Sequence, residues 1–120
     1  MKRIIGKTIT DVAGLYSDSE GVRIRFADDS WCRFYHDQSC CESVSLNELE
    51  KPDDLIGASI VDAYVESNAE YRTPDYADSF TWTFYRIITD RGTIFMRWLG
   101  ESNGYYSEEV EFEFSEVKDE

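Results

Sequence analysis

Basic residues are scarce in this 120-residue chain, which has 12 lysines and arginines against 25 aspartates and glutamates. Nucleic-acid binding needs an excess of lysine and arginine on one face, so the net charge of −13 predicts no nucleic-acid ligand. Seven of the acids fall within residues 107–120, where only Lys118 opposes them. The charge therefore favours a basic protein partner, or simply keeps a small domain soluble and monomeric.

Long apolar runs are also lacking. No stretch reaches the roughly 18 apolar residues of a membrane span. The start, Met1-Lys2-Arg3, is not followed by the hydrophobic region of a signal peptide. We therefore expect no membrane association and a cytoplasmic location.

Cysteine and proline are few as well. Three cysteines, an odd number, argue against a disulfide framework, and the adjacent Cys40 and Cys41 suit neither an ordinary local disulfide nor a CxxC redox motif. All three are expected to be reduced, with one of the adjacent pair packed inward. Two prolines and 42% apolar residues predict one folded domain over residues 1–120.

What is present is alternation. Residues 22–26, 80–84 and 110–114 alternate apolar and polar side chains with a period of two, which is typical of half-buried strands. The expected fold is mainly β with little helix: an antiparallel sandwich or partly closed barrel of two four-strand meanders. Residues 45–52 could form a helical turn, residues 67–78 are expected to be a mobile loop, and the three tryptophans are expected in the core. The predicted strands are 8–16, 22–27, 30–35, 42–46, 59–66, 79–89, 93–99 and 107–115.

The two halves of the chain also look like copies of each other. The sequence Ile-Gly-Lys-Thr-Ile-Thr-Asp at 5–11 is echoed by Ile-Gly-Ala-Ser-Ile-Val-Asp at 56–62, and Arg33 matches Arg97. This predicts a duplication into a first repeat at 1–54 and a second at 55–115, followed by an acidic tail at 116–120. Duplicated units usually pack about a pseudo-twofold axis, so equivalent loops should occupy related places.

Two strings are long enough to carry a family resemblance. The first is His-Asp-Gln-Ser-Cys-Cys-Glu at 36–42; the second combines Trp-Thr-Phe-Tyr at 82–85 with Arg97-Trp98 and Gly-Glu-Ser-Asn-Gly-Tyr-Tyr-Ser-Glu at 100–108. Together they resemble a family of small, uncharacterised proteins encoded by bacteriophages and prophages. The resemblance implies a viral setting, hence the host cytoplasm, and no agreed activity.

Three kinds of chemistry are weighed at these strings. His36, Cys40 and Cys41 could hold zinc, but adjacent cysteines on an extended chain point to opposite faces and no second histidine exists. A cysteine nucleophile with His36 as base is opposed by Asp37 and Glu42, which would raise a thiol pKa. Paired carboxylates could support glycoside hydrolysis, yet any pair is weak evidence in so acidic a chain. We therefore predict no catalytic residues, no metal and no cofactor.

The loops at 36–42 and 100–108 are equivalent in the proposed duplication, and they allow two further interpretations. An arginine–carboxylate bond within each half, Arg33 with Asp37 and Arg97 with Glu101, could brace its loop. Alternatively the loops could line a ligand cleft, because tyrosine gives broad contact area with a polar tip. The residues of that candidate cleft are Arg33, Asp37, Gln38, Cys40, Arg97, Glu101, Asn103, Tyr105 and Tyr106.

The favoured function is a non-enzymatic protein that binds and inhibits a basic host protein, such as a defence or nucleic-acid-binding factor, as a monomer or homodimer. Carboxylates on alternate strand residues lie about 7 Å apart, close to the spacing of phosphates along a nucleic-acid strand. The alternative is a small-molecule or nucleotide sponge that uses the candidate cleft. The residues predicted to contact the protein partner are Glu108, Glu109, Glu111, Glu113 and Glu116.

Overall fold

A computed structural model describes residues 1–71, 79–103 and 106–116, and all of their side chains except those of residues 69–71. One 3-10 turn, Lys2–Ile4, precedes the first strand, and these residues contain no α-helix. The eight strands are β1 Ile9–Ala13, β2 Gly21–Phe26, β3 Trp31–Tyr35, β4 Ser43–Glu50, β5 Ile60–Tyr71, β6 Ser79–Thr89, β7 Gly92–Ser102 and β8 Glu111–Ser115. Across the described ranges, no helix has the length and apolar character needed to span a membrane.

The strands form two four-stranded antiparallel sheets with the orders β1-β2-β3-β8 and β4-β7-β6-β5. The prediction of a mainly β, antiparallel sandwich is confirmed, and the sheets do not close into a barrel. The meanders differ from the prediction in one respect. Each half contributes three consecutive strands to one sheet, and its fourth strand pairs with the third strand of the other half. The duplication itself stays a prediction.

The core lies between the sheets because alternate side chains of each strand point inward. Ile24 and Phe34 enter it from the first sheet, Met96 and Trp98 from the second, and all four are at most 1% exposed. The ring of Phe34 meets the edge of the Tyr85 ring with 4.8 Å between centroids, which joins the sheets directly. Each fully buried apolar side chain contributes about 1.5–3 kcal/mol to stability.

Two local predictions are wrong. Residues 45–50 continue β4 rather than form a helical turn, with a shift in register between Leu46 and Glu48. Residues 67–71 belong to β5 rather than to a loop, and the rest of the predicted loop, 72–78, lies outside the described residues. The tryptophan prediction holds only for Trp98, because Trp31 and Trp82 are half-buried on the outer faces of the sheets.

Both connections that carry the chain from one sheet to the other lie at the same end of the sandwich. Residues 36–42 join β3 to β4, and residues 103–110 join β7 to β8. Tyr35 pairs with Glu111 in the first sheet, and Ser43 pairs with Glu101 in the second, so the two connections begin and end side by side. We call this the crossover end, and it contains residues 36–42 and the described residues of the string at 100–108.

Candidate functional site

The first crossover connection folds around the carboxylate of Glu42, whose side chain is fully buried. Its Oε2 accepts hydrogen bonds from the backbone N–H of Ser39 at 2.8 Å and from His36 Nε2 at 2.7 Å, and its Oε1 accepts from the N–H of Cys40 at 2.9 Å. The Gln38 side chain donates to the carbonyl of Glu42 at 2.6 Å. A buried carboxylate with this many donors holds its ionised form and fixes the loop around it.

This donor set changes the acid–base behaviour of Glu42. The hydrogen bond from His36, followed by the backbone donors Cys40 and Ser39, lowers its pKa to about 2, although burial acts in the opposite direction. Glu42 is therefore an anion throughout the physiological range. It holds a fixed negative charge and cannot serve there as a general acid.

His36 links the two crossover connections. Its side chain is 4% exposed, and its Nδ1 lies 2.6 Å from the carbonyl oxygen of Glu109, while Nε2 faces Glu42. Both ring nitrogens therefore lie within hydrogen-bonding distance of an oxygen atom. His36 is therefore committed to structural hydrogen bonds and is not positioned as a base for a thiol.

The second crossover connection has its own buried carboxylate, Glu108, which is 7% exposed. Glu108 accepts hydrogen bonds from three hydroxyl groups: Thr81 at 2.7 Å, and Ser79 and Ser102. The hydroxyls come from the paired strands β6 and β7, and they satisfy a carboxylate that would otherwise be costly to bury. Gly100 leaves the necessary space, since a Cβ there would lie 2.7 Å from Cβ of Glu108.

Glu42 and Glu108 are equivalent in the proposed duplication. Each stands two residues before the valine at the head of the returning segment, Val44 or Val110. Neither was predicted from the sequence to be buried: Glu108 was expected to contact a partner at the surface, and Glu42 was considered only as a neighbour of the cysteines. Their equal distance from Val44 and Val110 was the signal that could have identified them.

The prediction that an arginine braces the loop of its own half is wrong, because both arginines bind a glutamate of the other half. Arg33 on β3 binds Glu113 on β8 at 3.1 Å, and Arg97 on β7 binds Glu48 on β4 at 2.6 Å. Both glutamates lie on the strand that crossed over from the other half, directly opposite their arginine in register. Asp37 and Glu101 are not the partners. Each ion pair therefore links the fourth strand of one half to the sheet built from the other half. The hydrogen bond to Glu113 also raises the pKa of Arg33.

Among the described residues, the two arginines of the candidate cleft do not line one cleft. Arg33 follows the buried Cys32 and precedes the buried Phe34, while Arg97 lies between the buried Met96 and Trp98. Strand alternation therefore places the two arginines on opposite outer faces of the sandwich, with the core between them. Asp37, Gln38, Cys40, Glu101 and Asn103 are exposed at the crossover end, Tyr106 is half-buried, and Tyr105 lies outside the described residues.

The cysteine predictions need two corrections. Cys40 and Cys41 are joined as a disulfide between adjacent residues rather than reduced. Both are exposed, so neither packs inward. Cys32 is the free thiol of the described chain, and burial in the core raises its pKa to about 12. No three histidine, cysteine, aspartate or glutamate side chains of the described residues form a group that could hold a metal ion.

The glutamates that were predicted to contact a protein partner lie in different environments. Glu108 is buried and Glu113 is bound to Arg33, while Glu116 lies 3.1 Å from Arg3. The carboxylates of Glu109 and Glu111 form no ion pair with a cationic side chain of the described residues. Burial raises the pKa of Tyr85 to about 12, and the negative charges of Glu111 and Glu109 act in the same direction. The hydroxyl of Tyr85 donates to the carbonyl of Val110 at 3.2 Å.

The described geometry therefore defines a class: a two-sheet β sandwich whose halves exchange a strand, with two buried carboxylates that hold the crossover loops. Residues 2–112 match the family model for a domain of unknown function, DUF7448, and the chain belongs to that family. No curated protein and no solved structure matches the chain.

Proposed function

We propose that this chain is a non-enzymatic binding protein of bacteriophage origin that docks a basic host protein on its crossover end. The carboxylates of Asp37, Glu101, Glu109 and Glu111 carry the proposal. They surround the two crossover connections, three are exposed and Glu111 is half-buried. No lysine, arginine or histidine side chain of the described residues forms an ion pair with any of them.

The positioning of these carboxylates supports recognition of a partner. Asp37 adjoins His36, and Glu109 gives its carbonyl to the same ring, so both flank a loop that buried Glu42 holds in one conformation. Glu111 pairs with Tyr35 and Glu101 pairs with Ser43, the residues at which the first crossover connection begins and ends. A surface whose backbone is already held in one conformation loses less entropy on binding, and its negative charge favours rapid association with an oppositely charged partner.

The resemblance to phage-encoded proteins supplies the setting. In an infected cell, an acidic surface of this kind would compete with nucleic acid for a basic groove on a host defence or nucleic-acid-binding factor. The host cytoplasm is then the place of action. Binding would block the groove without any chemical step in this chain.

The test compares three forms of the protein in affinity capture from a host lysate. The crossover-end variant combines Asp37→Lys with Glu101→Lys. The matched control combines Asp11→Lys with Asp53→Lys, which makes the same charge change at exposed sites away from the crossover end. We expect a basic protein to be retained by the wild type and the control, released by raised salt, and lost from the crossover-end variant. Equal retention by all three forms, or retention insensitive to salt, would refute the proposal.

A further inference from the structure

The edge of the second sheet formed by β5 has the features of a strand-docking site. β5 is 12 residues long, and it is terminal in the order β4-β7-β6-β5. Near its start, Ile60 bonds through its backbone to Gly6 and Lys7. Beyond Ile60, no described residue outside β6 forms a backbone hydrogen bond with this strand. As far as the described residues go, the outer backbone N–H and C=O groups of β5 are thus left for another chain to pair with, while the N–H of Ala63 already donates to Oδ1 of Asp62 at 2.8 Å.

Two of the devices that protect a sheet edge, lysine and proline, are absent from β5, although its register is irregular between Ile60 and Asp62. Its sequence, IVDAYVESNAEY, contains neither lysine nor proline. Three of its large side chains are well exposed: Val61 at 57%, Tyr64 at 47% and Val65 at 49%. They make up half of the six large apolar side chains that the described residues expose to this degree. An edge with these properties favours association through β pairing.

The charge on β5 indicates what kind of strand would pair there. Asp62 pairs with Ile88 and Glu66 with Phe84, so both carboxylates lie on the outer face, on either side of Tyr64. Both are exposed, and neither forms an ion pair with a lysine or arginine of the described residues. On the inner face, Val65 offers apolar area opposite Tyr85. An incoming strand fits best with cations on one face and apolar side chains on the other.

We propose that β5 binds an extended basic segment of a partner protein, in which lysine or arginine alternates with apolar residues, as a fifth strand of the second sheet. This inference rests on the proposed function, because it assigns a second contact to the same basic partner. A second copy of this chain would bring a net charge of −13 towards another of −13, and so it fits the edge less well.

The test uses a fluorescently labelled nine-residue peptide in which lysine alternates with valine, titrated with the full chain. A second peptide carries proline at two of the valine positions, which removes backbone donors while keeping the charge. The edge variant combines Asp62→Lys with Glu66→Lys, and the matched control is again Asp11→Lys with Asp53→Lys. Hydrogen exchange reports which backbone amides the peptide protects, and light scattering reports the mass.

We expect saturable, salt-sensitive binding of the first peptide, with protection of amides in residues 61–68. Binding should weaken at least about tenfold with the proline peptide and with the edge variant, but not with the control. Absence of saturable binding, equal loss in the control, or a dimer that already protects β5 without peptide would overturn the inference. The crossover-end variant separates the two proposals. If lysate capture still depends on Asp37 and Glu101 while the peptide fails to bind, the edge inference falls and the proposed function stands.

Discussion

His36 Nε2 lies 2.7 Å from Oε2 of Glu42, in side chains that are 4% and 0% exposed. The same ring reaches the carbonyl of Glu109 at 2.6 Å, so a single buried histidine ties the two crossover connections together. The conformation of the acidic crossover end therefore depends on the ionisation of Glu42. Acid pH is the simplest way to perturb it.

Stability should fall with acid in a window set by Glu42. Its pKa is lowered from 4.5 to about 2 in the folded chain, so between these values the unfolded state binds more protons than the folded state. The stabilising effect is fully present above the unfolded pKa and is lost as pH falls through the folded pKa. We expect the free energy of unfolding, measured by urea and tryptophan fluorescence, to decline from pH 4.5 towards pH 2.

Glu42→Gln isolates this contribution. The amide cannot ionise, so the variant should be less stable at neutral pH and should lose less stability on acidification than the wild type. Glu20→Gln, at an exposed carboxylate, is the matched control and should keep the wild-type pH dependence. An unchanged acid slope in Glu42→Gln would show that other carboxylates govern the acid transition.

Gly100→Ala should destabilise the fold. An alanine Cβ would lie 2.7 Å from Cβ and 2.8 Å from the carbonyl oxygen of Glu108, so the second crossover connection would have to move. Overpacking of this kind costs about 1–3 kcal/mol. Gly21→Ala is the control, because its nearest neighbour would be 3.7 Å away, and it should be neutral or slightly stabilising. Equal unfolding midpoints for the two variants would contradict the close contact.

The two strand-fastening ion pairs should have similar, modest energies. The side chains of Arg33 and Glu113 are 44% and 41% exposed, and those of Arg97 and Glu48 are 36% and 55% exposed. Pairs this accessible contribute about 0.2–1 kcal/mol. Double-mutant cycles with Arg→Met and Glu→Gln changes should give coupling energies in that range. A coupling near zero at both sites would mean that backbone pairing and the core alone hold the exchanged strands.

The strands were predictable from the sequence, and their partners were not. Alternation located β2, β6 and β8 because it reports local exposure, but the exchange of β4 and β8 depends on contacts between distant residues. Leu46 and Leu49 are three residues apart, which is a helical spacing. A register shift between Leu46 and Glu48 instead turns both leucines to the same side of β4, opposite Trp98 and Met96.

The location of the functional site stays a prediction, and the burial of two carboxylates was missed for a similar reason. Residues 36–42 and the described residues of the string at 100–108 lie at one end of the sandwich. A carboxylate, however, is recognised as buried only through its donors, and the hydroxyls of Ser79 and Thr81 lie 29 and 27 residues before Glu108. Counting carboxylates along the chain could not separate Glu108 from its exposed neighbour Glu109.

Thiol labelling should distinguish the three cysteines. Cys40 and Cys41 are bonded to each other and exposed, whereas burial raises the pKa of Cys32 to about 12 and leaves it without reactive thiolate. We expect no alkylation of the native protein, two alkylated thiols after a mild reductant, and a third only after unfolding. Mass spectrometry counts the adducts. Rapid labelling before reduction would contradict the disulfide.

Glu108→Ala and Glu109→Ala offer the sharpest comparison, because the two residues are adjacent and carry the same charge. Glu108 accepts from three hydroxyls in a site that is 7% exposed, and its loss leaves Ser79, Thr81 and Ser102 without that acceptor. Removing a buried acceptor of this kind costs about 1–3 kcal/mol. Glu109→Ala, at an exposed carboxylate whose contact to His36 is through the backbone, should stay within about 0.5 kcal/mol of the wild type. In lysate capture the order should reverse, since only Glu109 presents its charge to a partner. Equal destabilisation by the two changes would show that the carboxylate of Glu108 is not a buried acceptor and does not hold the second crossover connection in place.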